Sequence, residues 1–371
     1  MLIIFCVFKF SSIISPFSLY LGIILHKSIK MRKLYFLFLS FLFLYCSEPK
    51  KKINPKIEIF DSSIQSIIDI YSDIEILADS ITLPEGPVWD KETKSLLFVD
   101  VAKNKILRWN EEYGATDFIS PGGNTGYAPN LGEGLLGPNG LVINQEGKLF
   151  VCQHGDRRIA MINKSQSNNP NFETLIDNYK GKRLNSPNDL IISKDGSIFF
   201  TDPPFSFFDL NTFSFVDSEL RELDFNGVYR LETKTNETSL ISKDIEVPNG
   251  IGISPDEKFL YVNKMGPPFS NTSSKIIKID LETLESETLY EGVEMFQKFK
   301  DSGDFDGMAI HSSGNIFTSG PGGLLVISPE GELKARIDFS HITNCTFDDE
   351  EKYLYATGFI DNPKVYRIKL K

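Results

Sequence analysis

Cysteine and histidine are scarce in this chain, four of each among 371 residues, and their scarcity removes several chemistries. Cys6, Cys46, Cys152 and Cys345 never fall at the short paired spacing of zinc or thiol-redox motifs. Cys152 and Cys345 lie inside apolar strand-like runs, where a cysteine behaves as a small buried side chain, and no disulfide is expected. A surplus of positive charge is also missing. The formal net charge is −11, with Lys and Arg interspersed among acids. No basic stripe faces phosphates, which excludes nucleic acid as a partner. Small neutral or cation-bound substrates fit that balance.

What the chain has is repetition. Six phrases share one pattern: EGPVWDKETKSLLFV from Glu85, NGLVINQEGKLFV from Asn139, NDLIISKDGSIFF from Asn188, NGIGISPDEKFLYV from Asn249, DGMAIHSSGNIFT from Asp306 and TNCTFDDEEKYLYA from Thr343. Each reads as a short apolar strand, a turn and a second apolar strand. A third alternating strand follows (KILRWN, RRIAMIN, GVYRLE, KIIKID, GLLVIS, KVYRIKL), and a fourth follows in the first five units. This spacing predicts an all-β, six-bladed β-propeller over residues 71–371. The chain ends before the sixth unit can make its outer strand. Ile74–Ala78, just ahead of the first unit, is expected to supply it and close the ring.

Residues 1–46 read as targeting sequence, with a basic start at Met31 and an apolar run that ends at Cys46; residues 47–70 read as a linker. The expectation is an exported protein, periplasmic or tethered as a lipoprotein through Cys46, with Met31 the alternative start. Lipidation, an uncleaved anchor and an ordinary secretory signal all remain open.

The opening residues of the six units share one register, so a propeller brings them to one place. Glu85 and Asp306 would balance a divalent cation, and the Asn188 and Asn249 carbonyls would add neutral oxygens. No His or Cys shares the register, so Ca²⁺, or secondarily Mg²⁺ or Mn²⁺, is expected and zinc is not. Asn-Gly and Asp-Gly are also turn formers, and any one of these residues alone would be a plain turn; Glu85 has no turn role. The ends of the second strands return to the same rim and carry Asp202 and His154. With Asp306 they are the candidate bases for attack of water on a polarised carbonyl. Extra length collects in the Gly-rich Ser120–Gly137 and the Phe-rich Pro203–Asp224, both expected to overhang the pocket.

The phrases LPEGPVW, CQHGDRRI, GKRLNSPNDLIISKDGSIFFTDPPF, FNGVYRLE, PNGIGISPDEKFLYV, FDGMAIHSSGNIF and TNCTFDD closely resemble the senescence-marker-protein and gluconolactonase family over about residues 75–370. The resemblance implies a six-bladed propeller that holds a divalent metal, commonly calcium, and hydrolyses sugar lactones. It implies metal binding by Glu85, Asn249 and Asp306, metal or substrate binding by Asn188, and a general-base role for Asp306. The Arg that some animal members carry two positions before this Asn is Ser186 here. Arg183 is the candidate substitute in substrate binding, together with Asn188 and Asn139. The expected activity is opening of a sugar lactone. The alternatives are another ester or phosphotriester as substrate, or a non-catalytic sugar- or protein-binding propeller with a structural metal.

Overall fold

The computed structural model describes residues 51–371 except 130, 133, 168–169, 267–273, 300–302 and 361. The leader, with Met31 and Cys46, lies outside the described residues. Among those described, no helix is long and apolar enough to cross a membrane. The strands form six sheets of four or five strands and two short hairpins.

The first blade runs Pro84–Asp90, Ser95–Asp100, Lys105–Asn110 and Gly114–Ile119 from the axis outward. The next four begin at the axis with Pro138–Ile143, Leu190–Ile192, Pro248–Ile253 and Met308–Ile310. In the sixth, His341–Phe347, Tyr353–Ile360 and Asn362–Lys369 are completed by Ile74–Ala78, which pairs antiparallel with Asn362–Lys369. The innermost strands neighbour one another in chain order and the sixth neighbours the first, so the ring closes as expected.

Burial explains the strand patterns. Second strands are covered on both faces by neighbouring blades and read as unbroken apolar runs; Ser95–Asp100 and Ile198–Asp202 are buried throughout. Third strands such as Lys105–Asn110 alternate buried and partly exposed residues. Each first hairpin turns through one left-handed residue: Lys94, Gly147, Gly196, Glu257, Gly314 and Glu351.

One expectation needs correction. The described part of the 47–70 stretch, taken as a linker, is built into the fold. Lys52–Ile53 pairs with Ile74–Ala78, and Ile57–Ile59 adds a fifth strand to the fifth blade by pairing with Leu333–Ile337. A short 3-10 turn, Ser62–Ser66, is capped by the Asp61 carboxylate, and Ile64 and Ile68 are buried in the core between the last two blades.

Candidate metal centre

The six inner strands open at the axis with Glu85, Asn139, Asn188, Asn249, Asp306 and Thr343. The residue after each faces a crowded centre. A Cβ on Gly86 would stand 2.0 Å from the Asn139 carbonyl oxygen, on Gly140 2.6 Å from that of Asn188, on Gly250 2.3 Å from that of Asp306, and on Gly307 2.1 Å from Asn344 Cγ. These glycines are demanded by the approach of the next blade, its backbone at Gly86, Gly140 and Gly250 and the Asn344 side chain at Gly307. Their N–H groups use that closeness. Gly140 donates to Asn188 O at 2.7 Å, Gly250 to Asp306 O at 2.8 Å and Gly307 to Thr343 O at 2.7 Å, so the innermost strands are stitched to each other and the opening residues are fixed about the axis. The two non-glycine members of this inner ring, Asp189 and Asn344, approach each other, with Asn344 Nδ2 3.5 Å from Asp189 Oδ2.

Carboxylates crowd this ring. Glu85 is buried and accepts the Gly86 N–H at 2.9 Å. Burial raises its carboxyl, and the Asp189 charge raises it further, against hydrogen bonds from Asn344 and Thr343. Asp306 is half-buried, its N–H donating to Ser319 Oγ at 2.6 Å. Burial raises its carboxyl well above the ordinary range, followed by the charges of Glu85, Asp304 and Asp189, while the Asn249 side chain opposes the shift. Burial pushes Asp189 and Asp304 up to about 6. Among the described residues, no Lys or Arg stands with the leading influences on these four carboxyls. Uncompensated carboxylates at this depth are costly unless they are protonated or meet a cation. The donor set, carboxylates beside the amides of Asn188 and Asn249, suits a hard cation bound through oxygen. Among the described residues, no group of three or more His, Cys, Asp or Glu side chains is arranged to hold a metal.

Asp189, Asp304 and Asn344 were not singled out from the sequence. Asp189 and Asn344 carried a signal, for they stand where four of the six units have glycine.

The other expected residues divide. Asp202 is completely buried, and both carboxylate oxygens accept backbone N–H groups, from Asn185 at 2.8 Å and Ser186 at 2.7 Å. Burial pushes it up to about 7 against those bonds. Through these two bonds it braces the backbone that leads into Asn188. Arg157 braces the same stretch from the other side, donating through Nε to the Leu184 and Asn185 carbonyls and through Nη1 to Leu220. Arg183 lies in the small hairpin with Asn178–Tyr179, its guanidinium 5.8 Å from the Tyr127 ring centre and its N–H on Glu222. Asn139 is buried at the start of the second blade. His154 is 0% exposed, with Nδ1 3.0 Å from the Leu135 carbonyl and Nε2 3.5 Å from Asn188 Nδ2. Burial lowers it to about 4, so it is neutral at physiological pH.

Both insertions meet at the turn that carries His154. Thr125 and Tyr127 of the Gly-rich segment donate their N–H groups to Asp156. Ser206 Oγ of the Phe-rich segment donates to the His154 carbonyl at 2.6 Å, and Phe205 lies against the His154 ring at 6.1 Å. At the far end of the inner strands a cavity of about 600 Å³ is lined by Val88, Val142, Ile191, Ile253, Ile310 and Phe347, with Asp189 and Asn344 also in its wall.

Comparison with known proteins agrees with this architecture. Residues 83–359 match the family described as SMP-30/Gluconolactonase/LRE-like region. A gluconolactonase of Zymomonas mobilis subsp. mobilis is 32% identical over 326 residues, 85% of this chain and 86% of its own. Lactonase drp35 of Staphylococcus aureus strain MW2 is 25% identical over 285 residues, 76% of each. The structure of a gluconolactonase from Xanthomonas campestris superposes with a TM-score of 0.71 at 25% identity, covering 88% of this chain and 99% of that one. The resemblance first seen in the repeated phrases thus extends over most of the molecule, and the chain belongs to the SMP-30/gluconolactonase/LRE-like family.

Proposed function

We propose that this protein is a metal-dependent hydrolase that opens sugar lactones, with glucono-1,5-lactone as the type substrate. One observation carries the reading: Glu85, Asp189, Asp304 and Asp306 lie close enough to act on one another's charge, and among the described residues no Lys or Arg stands with the leading influences on any of them. That charge deficit suits a divalent cation, and the mixed carboxylate and amide donors favour Ca²⁺ ahead of Mg²⁺ or Mn²⁺. The gluconolactonase and lactonase relatives support a lactone as the substrate.

Glu85, Asn188, Asn249 and Asp306 are the residues that would hold the ion, which when bound supplies a Lewis acid for the lactone carbonyl. The remaining work falls to the chain. Asp306 has a carboxyl raised by burial and by its acidic neighbours, which suits a group that takes a proton from the attacking water and releases it again. The water oxygen bonds to the acyl carbon, the ring C–O bond breaks, and the proton taken by Asp306 is delivered to the ring oxygen, giving the open hydroxy acid. Asn249 contacts Asp306 and holds its carboxylate in place. Phe205, packed on the His154 ring, supplies an apolar wall that limits water near Asn188.

Replacing Asp306 with Asn keeps the shape and removes the base. Lactone turnover should fall by about 10²–10⁴-fold, the usual worth of a positioned acid–base group, in a protein whose circular dichroism is unchanged. Turnover within a few-fold of wild type would sink the assignment of Asp306.

A further inference from the structure

We infer that His154 is a positioning residue: its Nε2 receives an N–H of the Asn188 amide and thereby turns the Asn188 carbonyl oxygen away from the ring and toward the axis. The inference deepens the proposed function and rests on the reading of Asn188 as a ligand.

Proton placement follows from the partners. His154 Nδ1 lies 3.0 Å from the Leu135 carbonyl oxygen. A carbonyl only accepts, so Nδ1 must carry the hydrogen, and a neutral imidazole then presents a bare lone pair at Nε2. That lone pair faces Asn188 Nδ2 at 3.5 Å. An amide flipped the other way would set its oxygen against the Nε2 lone pair, with both groups buried. One orientation is therefore favoured, and it leaves the amide oxygen as the group free to face the axis.

The ring is held firmly enough to exert this choice. The His154 N–H donates to Gly137 O at 3.2 Å and the Gly155 N–H to Leu136 O at 2.9 Å, while Ser206 Oγ donates to the His154 carbonyl and Phe205 packs on the ring at an interplanar angle of 28°. Both inserted segments thus converge on one imidazole, which passes their order to Asn188. An outer partner that fixes a ligand's orientation typically changes metal affinity by about 10–100-fold.

Two substitutions separate this role from a purely local one. His154→Gln keeps an acceptor near the place of Nε2 but no donor at Nδ1; His154→Asn keeps a donor near Nδ1 but is too short to reach Asn188. Ca²⁺ titration calorimetry and lactone kcat and KM would be measured for both, for Asn188→Ala and for the Asn188→Ala/His154→Asn double variant. His154→Gln should bind Ca²⁺ within about threefold of wild type, and His154→Asn about 10–100-fold more weakly. The second substitution should add nothing once Asn188 is already Ala. Equal losses in the wild-type and Asn188→Ala backgrounds would overturn the inference, as would His154→Asn binding as tightly as wild type. So would a fall in kcat of about 10² or more in both single variants at unchanged Ca²⁺ affinity, the mark of a base. Wild-type protein that binds no Ca²⁺ would remove the metal reading itself, and this inference with it. ¹⁵N NMR of the imidazole in wild-type protein needs no variant to fold: Nδ1 should be protonated and Nε2 bare, and the opposite tautomer would overturn the assignment.

Discussion

At the scale of single residues, the centre of this molecule is governed by what is missing at Gly86, Gly140, Gly250 and Gly307. Sequence alone offers a turn explanation for Asn-Gly and Asp-Gly, and each pair considered singly supports it. The structure supplies another cause, since the backbone or the next ring side chain of the neighbouring blade occupies the place of each Cβ. Gly307→Ala is therefore expected to push the fifth and sixth blades apart, because its methyl would stand 2.1 Å from Asn344 Cγ and 2.6 Å from Asn344 Cα. The cost should be about 3 kcal/mol, the upper part of the range for overpacking. Thermal melting followed by circular dichroism should show a midpoint lowered by roughly 5 °C; an unchanged midpoint would mean that the blades yield freely at the axis. The register of Glu85, Asn188, Asn249 and Asp306 was legible because the six phrases align. Asp189 and Asn344 look like ordinary polar residues until their slot is seen to hold glycine in the other four units. The bracing role of Asp202 was illegible, because it depends on which backbone N–H groups a neighbouring loop turns toward the carboxylate.

At the scale of elements, the closing strand and the short strands before it contrast instructively. Ile74–Ala78 was readable because the sixth unit lacked an outer strand and an apolar segment of the right length stood at the other end of the chain. Lys52–Ile53 and Ile57–Ile59 were not, since two or three residues are too few to show an alternating pattern. The second of these is fastened by charge. Arg336, 2% exposed, donates through Nε to Glu58 at 2.9 Å and through Nη1 to the Gly322 carbonyl, with its guanidinium 4.2 Å from the Phe299 ring centre. The Lys56 ammonium first, and Arg336 next, hold the Glu58 carboxyl down to about 2 from its ordinary 4.5. A carboxyl depressed in the folded state contributes stability that is present above about 4.5 and lost as pH falls toward 2. Glu58→Ala leaves the buried guanidinium with only the Asp338 carboxylate, 3.6 Å from Nη1, and the Gly322 carbonyl, and should cost on the order of 3 kcal/mol at pH 7, the lower end for breaking a buried pair. The difference from wild type should shrink as pH drops through that window. Urea unfolding at pH 7 and pH 3 checks both statements, and a difference independent of pH would contradict the ion-pair explanation.

At the scale of the whole molecule, the blades make a ring whose purpose is convergence. No one unit contains a site; six similar hairpins, each contributing an opening residue, place carboxylates and amides about one axis, and the two long insertions, one ahead of the second unit and one inside the third, meet at His154. The fold and the position of the site could be read from the repeats because both follow from the same periodicity. The walls could not, since the two insertions match nothing else in the chain and their meeting at His154 depends on tertiary contacts. A closed ring with acids crowded at its centre should be held together by a cation that those acids bind. A ligand at about 100 times its Kd adds about 2.7 kcal/mol to folding stability, which is a shift of roughly 4 °C in a domain of this size. The most direct measurement is hydrolysis of glucono-1,5-lactone by the wild-type protein before chelation, after exhaustive chelation and after return of Ca²⁺, with the melting midpoint recorded at each stage. Turnover should vanish with the metal and come back with Ca²⁺, and the midpoint should fall and recover in step. Undiminished turnover at an unchanged midpoint in the chelated protein would contradict a metal-dependent lactone hydrolase.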